Sequence, residues 1–359
     1  MRCSRSRRFE PRGQGLRQPP LPHEVGVARR DYLLKRAAWS LLTILFVLVL
    51  NFFLFRVLPG DPTTSIAKDP RLTAETRAAL ARRFGLDKPL LVNLQGGSPF
   101  DSQFFAYFSR LAQGDLGTSF NFNRPVSEVL GERIGNTVLL VLGGQLLAIL
   151  LGVGLGLLAA WKNRTPLDTG AITFSLTAWS LPTFWLGILL LIIGSTYLGL
   201  PTAGKETVGV PFGSFWAQAV DVGRHLLLPT LTFTIVLLGE YMLVMRSSVL
   251  EILSEDYILT AKAKGLSQGQ ILRHHALQNA MLPIVTLIAL NLGFTVAGAI
   301  QVETVFSWPG VGSLIYEAVR RQDYPVLQGA FLVIAISVVA ANLAADLIYG
   351  LLDPRIKSP

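Results

Sequence analysis

Charge and cysteine are both scarce in this sequence. Only 15% of its 359 residues are charged, while 51% are hydrophobic. Ordinary soluble proteins carry roughly 25% charged residues. The deficit is concentrated in several apolar runs long enough to cross a bilayer, which takes about 20 residues. That distribution defines a polytopic membrane protein. Cys3 is the sole cysteine, which excludes an intrachain disulfide and a paired-cysteine metal site. No GxxxxGK[ST] loop is present to cradle ATP phosphates. HExxH and Gly-x-Ser-x-Gly are missing too. Energy for any transport must come from a partner or from a gradient.

The net charge of +9 invites a nucleic-acid reading, but its placement argues against one. Arg2, Arg5, Arg7, Arg8, Arg12, Arg17, Arg29, Arg30, Lys35 and Arg36 precede the first apolar run, opposed by Glu10, Glu24 and Asp31. A basic tail before a first span is what the positive-inside bias holds in the cytoplasm. Arg7-Arg8-Phe9 faintly resembles a twin-arginine signal, yet the apolar core begins about thirty residues later and is too long for a signal peptide. Residues 1–36 therefore read as a disordered basic tail on the cytoplasmic side.

The first span is expected over 37–58, ended by Pro59-Gly60-Asp61-Pro62, with Arg56 able to snorkel to the interface. Residues 59–135 are polar and mixed and read as a small extracytoplasmic cap. Within it, one short helix is predicted over 73–84. A second is predicted over 101–113, with Phe104, Phe108 and Leu111 on one face and Gly114 as its stop. Residues 136–352 form a core with five more spans. The second span, 136–161, is rich in glycine, and Gly152 and Gly156 share a face that permits close helix approach. The third, 168–198, is too long for one straight crossing, and Pro182 is expected to kink it. After a loop over 199–225, the others are expected at 226–245, 280–302 and 326–352. Residues 353–359 form a cytoplasmic C-terminus. Basic residues support that topology. Lys162, Arg164, Arg246, Lys262, Lys264, Arg273, Arg355 and Lys357 fall on the proposed inside, against Lys205, Arg224, Arg320 and Arg321 outside.

Groups that bear chemistry are few. His274 and His275 are adjacent, about 100° apart on a helix, and do not chelate as an i,i+4 pair would. Glu240 and Asp346 are ionisable groups in the inner halves of their spans, where pairing within the bundle competes with a proton-relay role. Gln145 and Asn291 are uncharged mid-span groups. Interhelical hydrogen bonding is their default role, and lining a solute pathway is the alternative.

The most informative stretch is the loop over 246–282 and its exit at Pro283. Ser254 is placed to cap a helix beginning Glu255-Asp256-Tyr257, with Tyr257, Ala261 and Lys264 at three- and four-residue spacing. Gly265 then breaks the helix, and Ile271–Leu282 restarts one that leads into the fifth span. The small residues Ala261 and Ala263 are expected to let a partner groove approach. From the residues alone, an ordinary helical loop and a docking element remain equally open.

Asp256-Tyr-Ile-Leu-Thr-Ala-Lys-Ala-Lys-Gly265, followed by His275-Ala-Leu-Gln-Asn-Ala-Met-Leu-Pro283, resembles the coupling loop of ABC-importer permeases. The resemblance is to the dipeptide/oligopeptide/nickel family, the binding-protein-dependent transport system inner membrane components. It extends over nearly everything after the tail: Tyr32-Leu-Leu-Lys-Arg36, Leu58-Pro-Gly-Asp-Pro62, Phe84-Gly-Leu-Asp-Lys-Pro89 and Gly114-Asp-Leu-Gly-Thr-Ser119. Glu303-Thr-Val-Phe-Ser-Trp-Pro-Gly-Val-Gly312, Arg321-Gln-Asp-Tyr-Pro325 and Leu352-Asp-Pro-Arg355 complete it in order. The general importer pattern opens this loop with Glu-Ala-Ala; here Leu259-Thr260-Ala261 stand there and Gly265 is kept.

The resemblance implies an all-α membrane protein. It would have six transmembrane helices, a small extracytoplasmic domain between the first two and a cytoplasmic coupling loop between the fourth and fifth. It implies docking to a cytoplasmic ATPase through Asp256, Tyr257, Thr260, Ala261, Ala263, Lys264, Gly265 and Leu266, with His275, Asn279 and Pro283 as support. It also implies a second related permease chain, a solute-binding protein outside the membrane, and ATP and Mg on the ATPase rather than on this chain. The chain itself would not be an enzyme. An ion-gradient-driven secondary transporter is the alternative, disfavoured by scarce intramembrane charge and no evident repeat of the halves.

Overall fold

The structure is a computed structural model that describes residues 22–57, 73, 75, 88–93 and 98–352, with side chains from Lys35 onward apart from 56–57, 289, 292–298 and 345–352. Residues 58–62, residues 74 and 76–84 of the expected helix 73–84, the C-terminal 353–359 and the side chains of Arg56 and Asp346 lie outside the described residues. The described residues are helical, with one isolated bridge between Thr118 and Pro125 and no strand. In chain order the helices are α1 (Pro22–Val57), α2 (Gln103–Ala112), α3 (Val126–Trp161), α4 (Pro166–Ser180), α5 (Thr183–Leu198), α6 (Phe215–Leu253), α7 (Asp256–Ala263), α8 (Gln268–Ile271), α9 (Leu277–Val305), α10 (Val311–Arg321) and α11 (Tyr324–Leu352). A π turn, Leu272–Ala276, joins α8 to α9.

Among the described residues, four helices are long and apolar enough to cross a membrane: Lys35–Phe55 within α1, α3, α6, and Tyr324–Ala344 within α11. α4 and α5 together make a fifth, bent by 106° at Leu181-Pro182. The expected kink is thus a break, because Pro182 sits with extended ψ at the α5 N-cap and cannot carry the helix through. Several boundaries move outward from the apolar runs. α1 starts at Pro22, so residues 22–36 are helical rather than disordered. α3 starts at Val126, ten residues early, with Glu128 in the first turn to complement the helix dipole. α6 starts at Phe215 inside the expected loop, capped by the Ser214 hydroxyl. α2 matches the expected second cap helix, and Gly114 follows it with φ +78°.

α6 is the hub, packing against α3, α4, α5 and α9, and most extensively against α3. The reason is in the α3 glycines. A Cβ on Gly144 would lie 2.8 Å from the Phe233 Cβ, one on Gly152 2.7 Å from the Tyr241 Cβ, and one on Gly156 2.6 Å from the Met242 carbonyl oxygen. These three form the groove for α6, including the expected Gly152–Gly156 pair, while Gly154 faces open space. On another face of α6, Gly239 lets Ser175 of α4 approach. Contacts set the ends of the bundle. Asn51 of α1 donates to the Gln328 carbonyl of α11 at 2.9 Å, and Phe55 stacks near Tyr324 and Phe331. The start of α1 and the end of α11 therefore lie at one end, together with the α3–α4 loop and α7. α10 lies at the other.

Candidate docking loop and polar cluster

The loop between α6 and α9 is built as a small folded unit. Ser254 closes α6, its hydroxyl donating to the Glu251 carbonyl at 2.6 Å, so it does not cap α7 as expected. Glu255 takes the α7 N-cap without a side-chain bond. Ile258 and Ala261 of α7 pack with Ile271 against Ile252, Leu253 and Leu266. Ala261 is thus turned inward, 6% exposed, and its small size serves the loop's own core rather than a partner groove. This corrects the expected 257/261/264 face: a two-turn helix must spend one face on its own support, and Ile258 takes that face. Asp256, Leu259, Thr260 and Ala263 share the outward face, with Leu259 60% exposed. Lys264 and Gly265 are exposed and Leu266 is half-buried.

Gly265 reverses the chain with φ +80°, a left-handed conformation that side chains resist. Ser267 and Gln270 then form a reciprocal capping box that starts α8 at Gln268, three residues before the expected restart. The Asn279 amide donates to the Tyr257 hydroxyl at 3.1 Å and to the His275 carbonyl at 3.0 Å, tying α7 to the start of α9. His275 is half-buried and His274 exposed; Pro283 lies within α9, exposed. Among the described residues no three His, Cys, Asp or Glu gather as a metal site.

The loop's base is latched to the α3–α4 turn. Arg246 of α6 grips Asp168 of α4 bidentately, at 2.5 Å from Nε and 2.8 Å from Nη2. Nη2 also reaches the Asn163 side-chain carbonyl oxygen at 3.2 Å, and the Arg164 backbone N–H donates to Asp168 at 2.9 Å. Asp168 is buried at 3% exposure. In the sequence Arg246 counted only as a basic charge. The 78-residue separation from Asp168 left no local signal for the pair.

Inside the bundle, Gln145 and Asn291 are brought together through α6. The Tyr241 hydroxyl accepts from the Gln145 amide and, at 3.3 Å, from the Asn291 amide, which also donates to Glu240 at 3.0 Å. Three helices, α3, α6 and α9, thus share one polar cluster.

The α10 end holds three of the matched motifs, 114–119, 303–312 and 321–325. Fully buried Glu303 accepts from the Thr137 hydroxyl at 2.7 Å and from the Ser313 N–H at 2.9 Å, capping the α10 N-terminus. Trp308 donates to the Asn136 carbonyl at 3.0 Å. A Cβ on Gly310 would strike the Glu303 carboxylate. α10 itself, amphipathic through Val311, Leu314, Ile315 and Ala318, was not anticipated, because only one face of this polar stretch is apolar. Nearby, buried Asp323 accepts from the Ser119 hydroxyl at 2.5 Å, the Phe120 N–H at 3.2 Å and the Asn121 N–H at 3.0 Å. Motifs 114–119 and 321–325, far apart in sequence, are two halves of one joint. Asp323→Asn should destabilise this joint by roughly 1–3 kcal/mol, since charge-assisted bonds to two backbone N–H groups are weakened. The check is a lower melting temperature in detergent, with Glu317→Gln as a surface control near the wild-type value.

This architecture is that of a polytopic helical membrane protein with a folded loop projecting from one end of its hub helix. Two family models match it. Residues 152–358 match the "Binding-protein-dependent transport system inner membrane component", and residues 30–141 match the N-terminal part of the same membrane components. The glutathione transport system permease protein GsiC of Salmonella typhimurium is 38% identical over 329 residues, covering 91% of this chain and 99% of that protein. The dipeptide transport system permease protein DppB of Escherichia coli is 35% identical over 344 residues, covering 91% and 98%. The oligopeptide transport system permease protein AppB of Bacillus subtilis is 33% identical over 328 residues, covering 91% and 99%. The fold is similar to solved inward-facing structures of the MetNI methionine ABC transporter, at a TM-score of 0.51 and 16% identity over 63% of this chain and 97% of that one. The chain belongs to the family of binding-protein-dependent transport system inner membrane components. It is a membrane-spanning permease subunit of an ATP-binding-cassette importer, not itself an enzyme. In such systems ATP and Mg belong to the ATPase subunits.

Proposed function

We propose that this permease carries short peptides or similar small solutes inward through six membrane crossings, with both termini in the cytoplasm. α9 supplies the crossing beyond the five counted by length and apolarity, over the expected 280–302. Residues 59–135 form the extracytoplasmic cap where a solute-binding protein delivers the solute. A second, related permease chain completes the pathway. The peptide assignment is supported by the names of the relatives, which handle glutathione, dipeptides and oligopeptides.

Residues 254–266 dock into a cleft of a cytoplasmic ATPase. The observation that carries this reading is the outward face Asp256/Leu259/Thr260/Ala263 on a short helix whose other face is anchored by Ile258 and Ala261. A large apolar side chain held out at a rigid tip is suited to fill a pocket on a partner. Tyr257, Lys264, Gly265 and Leu266 shape the tip, while His275 in the π turn and Asn279 and Pro283 in α9 support it. Closure of the ATPase pair on ATP would draw the loops together and rock the helices between outward- and inward-facing states. An ATPase subunit should co-purify with the intact chain and be lost when 254–266 is replaced by a Gly-Ser linker of equal length. Retention of the ATPase on the linker variant would remove the docking assignment.

A further inference from the structure

On the hub helix α6, Val236, Glu240 and Ser247 share one face and are half-buried or exposed. Between them Gly239, Tyr241, Met242, Met245 and Ser248 are buried. Glu240 lies six residues from Arg246, about 9 Å into the bundle at ~1.5 Å per residue. A carboxylate at that depth is costly against lipid and marks a polar surface such as a solute path. No described Lys, Arg or His pairs with it; every described ion pair lies elsewhere. Its position is fixed by Asn291, and Asn291 by Tyr241. On the same cluster the Gln145 side chain, 2% exposed, bonds Tyr241 through its nitrogen while its carbonyl oxygen has no partner among the described residues.

We propose that Glu240, held by Asn291, which in turn bonds Tyr241, forms a subsite for a primary ammonium group of the solute crossing the permease. An ammonium brings one positive charge and three N–H donors. The carboxylate supplies the countercharge and two acceptor oxygens, one of them already bonded to Asn291, and no described cation meets it. The free amino terminus of a short peptide has that chemistry. The inference rests on the importer reading above. It gives the permease its own contact with the solute, downstream of any binding protein.

The test uses the complete importer, with its ATPases, second permease and binding protein, in proteoliposomes loaded with ATP. Uptake of radiolabelled trialanine and dialanine is measured for wild type, Glu240→Gln and Glu240→Asp. Glu240→Gln should lower uptake at least tenfold, while Glu240→Asp, which keeps the charge, stays within about threefold. In a Cys3→Ser background, Val236→Cys reads that face without touching the cluster. It should react with a water-soluble thiol reagent far faster than Leu150→Cys on the exposed apolar face of α3. Equal losses for Gln and Asp, wild-type uptake in Glu240→Gln, or a Val236→Cys as inert as Leu150→Cys would each overturn the subsite. Absence of ATP-dependent uptake in the wild type would instead strike the importer reading itself.

Discussion

Gly265→Pro is expected to abolish ATP-driven uptake while leaving the chain inserted in the membrane. Gly265 holds φ at +80°, and proline is locked near −65°. The substitution also deletes the Gly265 N–H bond to the Lys262 carbonyl, 3.0 Å long. It further disfavours the near-helical backbone of Lys264, which sits at φ −77°, ψ 2°. None of these losses touches a membrane-crossing helix, because Gly265 lies between α7 and α8. They fall on the turn that holds Leu266 over the Ile258–Ala261–Ile271 cluster. A distortion of about 3 kcal/mol equals roughly a hundredfold in a binding constant, so docking of the ATPase should fall below detection. Gly265→Ala separates strain from space. Its Cβ would meet nothing within 4 Å, so only the left-handed backbone is penalised, by roughly 1–2 kcal/mol. Alanine should therefore retain partial uptake and partial ATPase recovery in a pull-down, and proline none. Wild-type transport in the proline variant would mean the loop does not couple.

Arg246→Met should be nearly as damaging, by a different route. Asp168 is buried, and Arg246 supplies its only cationic contact among the described residues. Removing the guanidinium leaves a carboxylate facing a single backbone N–H from Arg164. Breaking a buried pair in this way costs about 3–5 kcal/mol. The loss should appear as a lower unfolding temperature and as reduced uptake, because this latch ties α4 and the 162–165 turn to the helix from which α7 hangs. Arg246→Lys should fall between, since a point charge cannot reproduce the two-pronged grip. Asp168→Leu combined with Arg246→Met should recover much of the single-variant loss in stability, a strong non-additivity that a double-mutant cycle reads directly. Additive losses would show that the two side chains act independently.

Which parts of this were legible in the sequence follows from the range of the interactions. Apolar runs marked the membrane helices, because hydrocarbon thickness sets their length. They did not mark where helices begin, because Val126–Gly135 and Phe215–His225 are amphipathic turns outside the apolar core. Pro182 announced the broken span, but not its 106° bend. Tyr257, His275 and Asn279 stood in matching motifs and do meet in the structure. Ala261 misled because a two-turn helix offers too little periodicity to fix which face is buried. The polar residues Gln145, Glu240 and Asn291 were visible singly inside apolar stretches. Their union through Tyr241 is set by the glycine groove of α3, which sequence spacing shows only in part.

ATP dependence of uptake bears most directly on the central claim, that this chain is a permease driven through its loop by a separate ATPase. Proteoliposomes holding the full complex, with ATP inside and a loaded binding protein outside, should accumulate solute. Replacing 254–266 with a linker, or omitting ATP, should reduce accumulation to background whether or not a proton gradient is present. Uptake that persists without ATP and collapses when the proton gradient is dissipated would contradict the account.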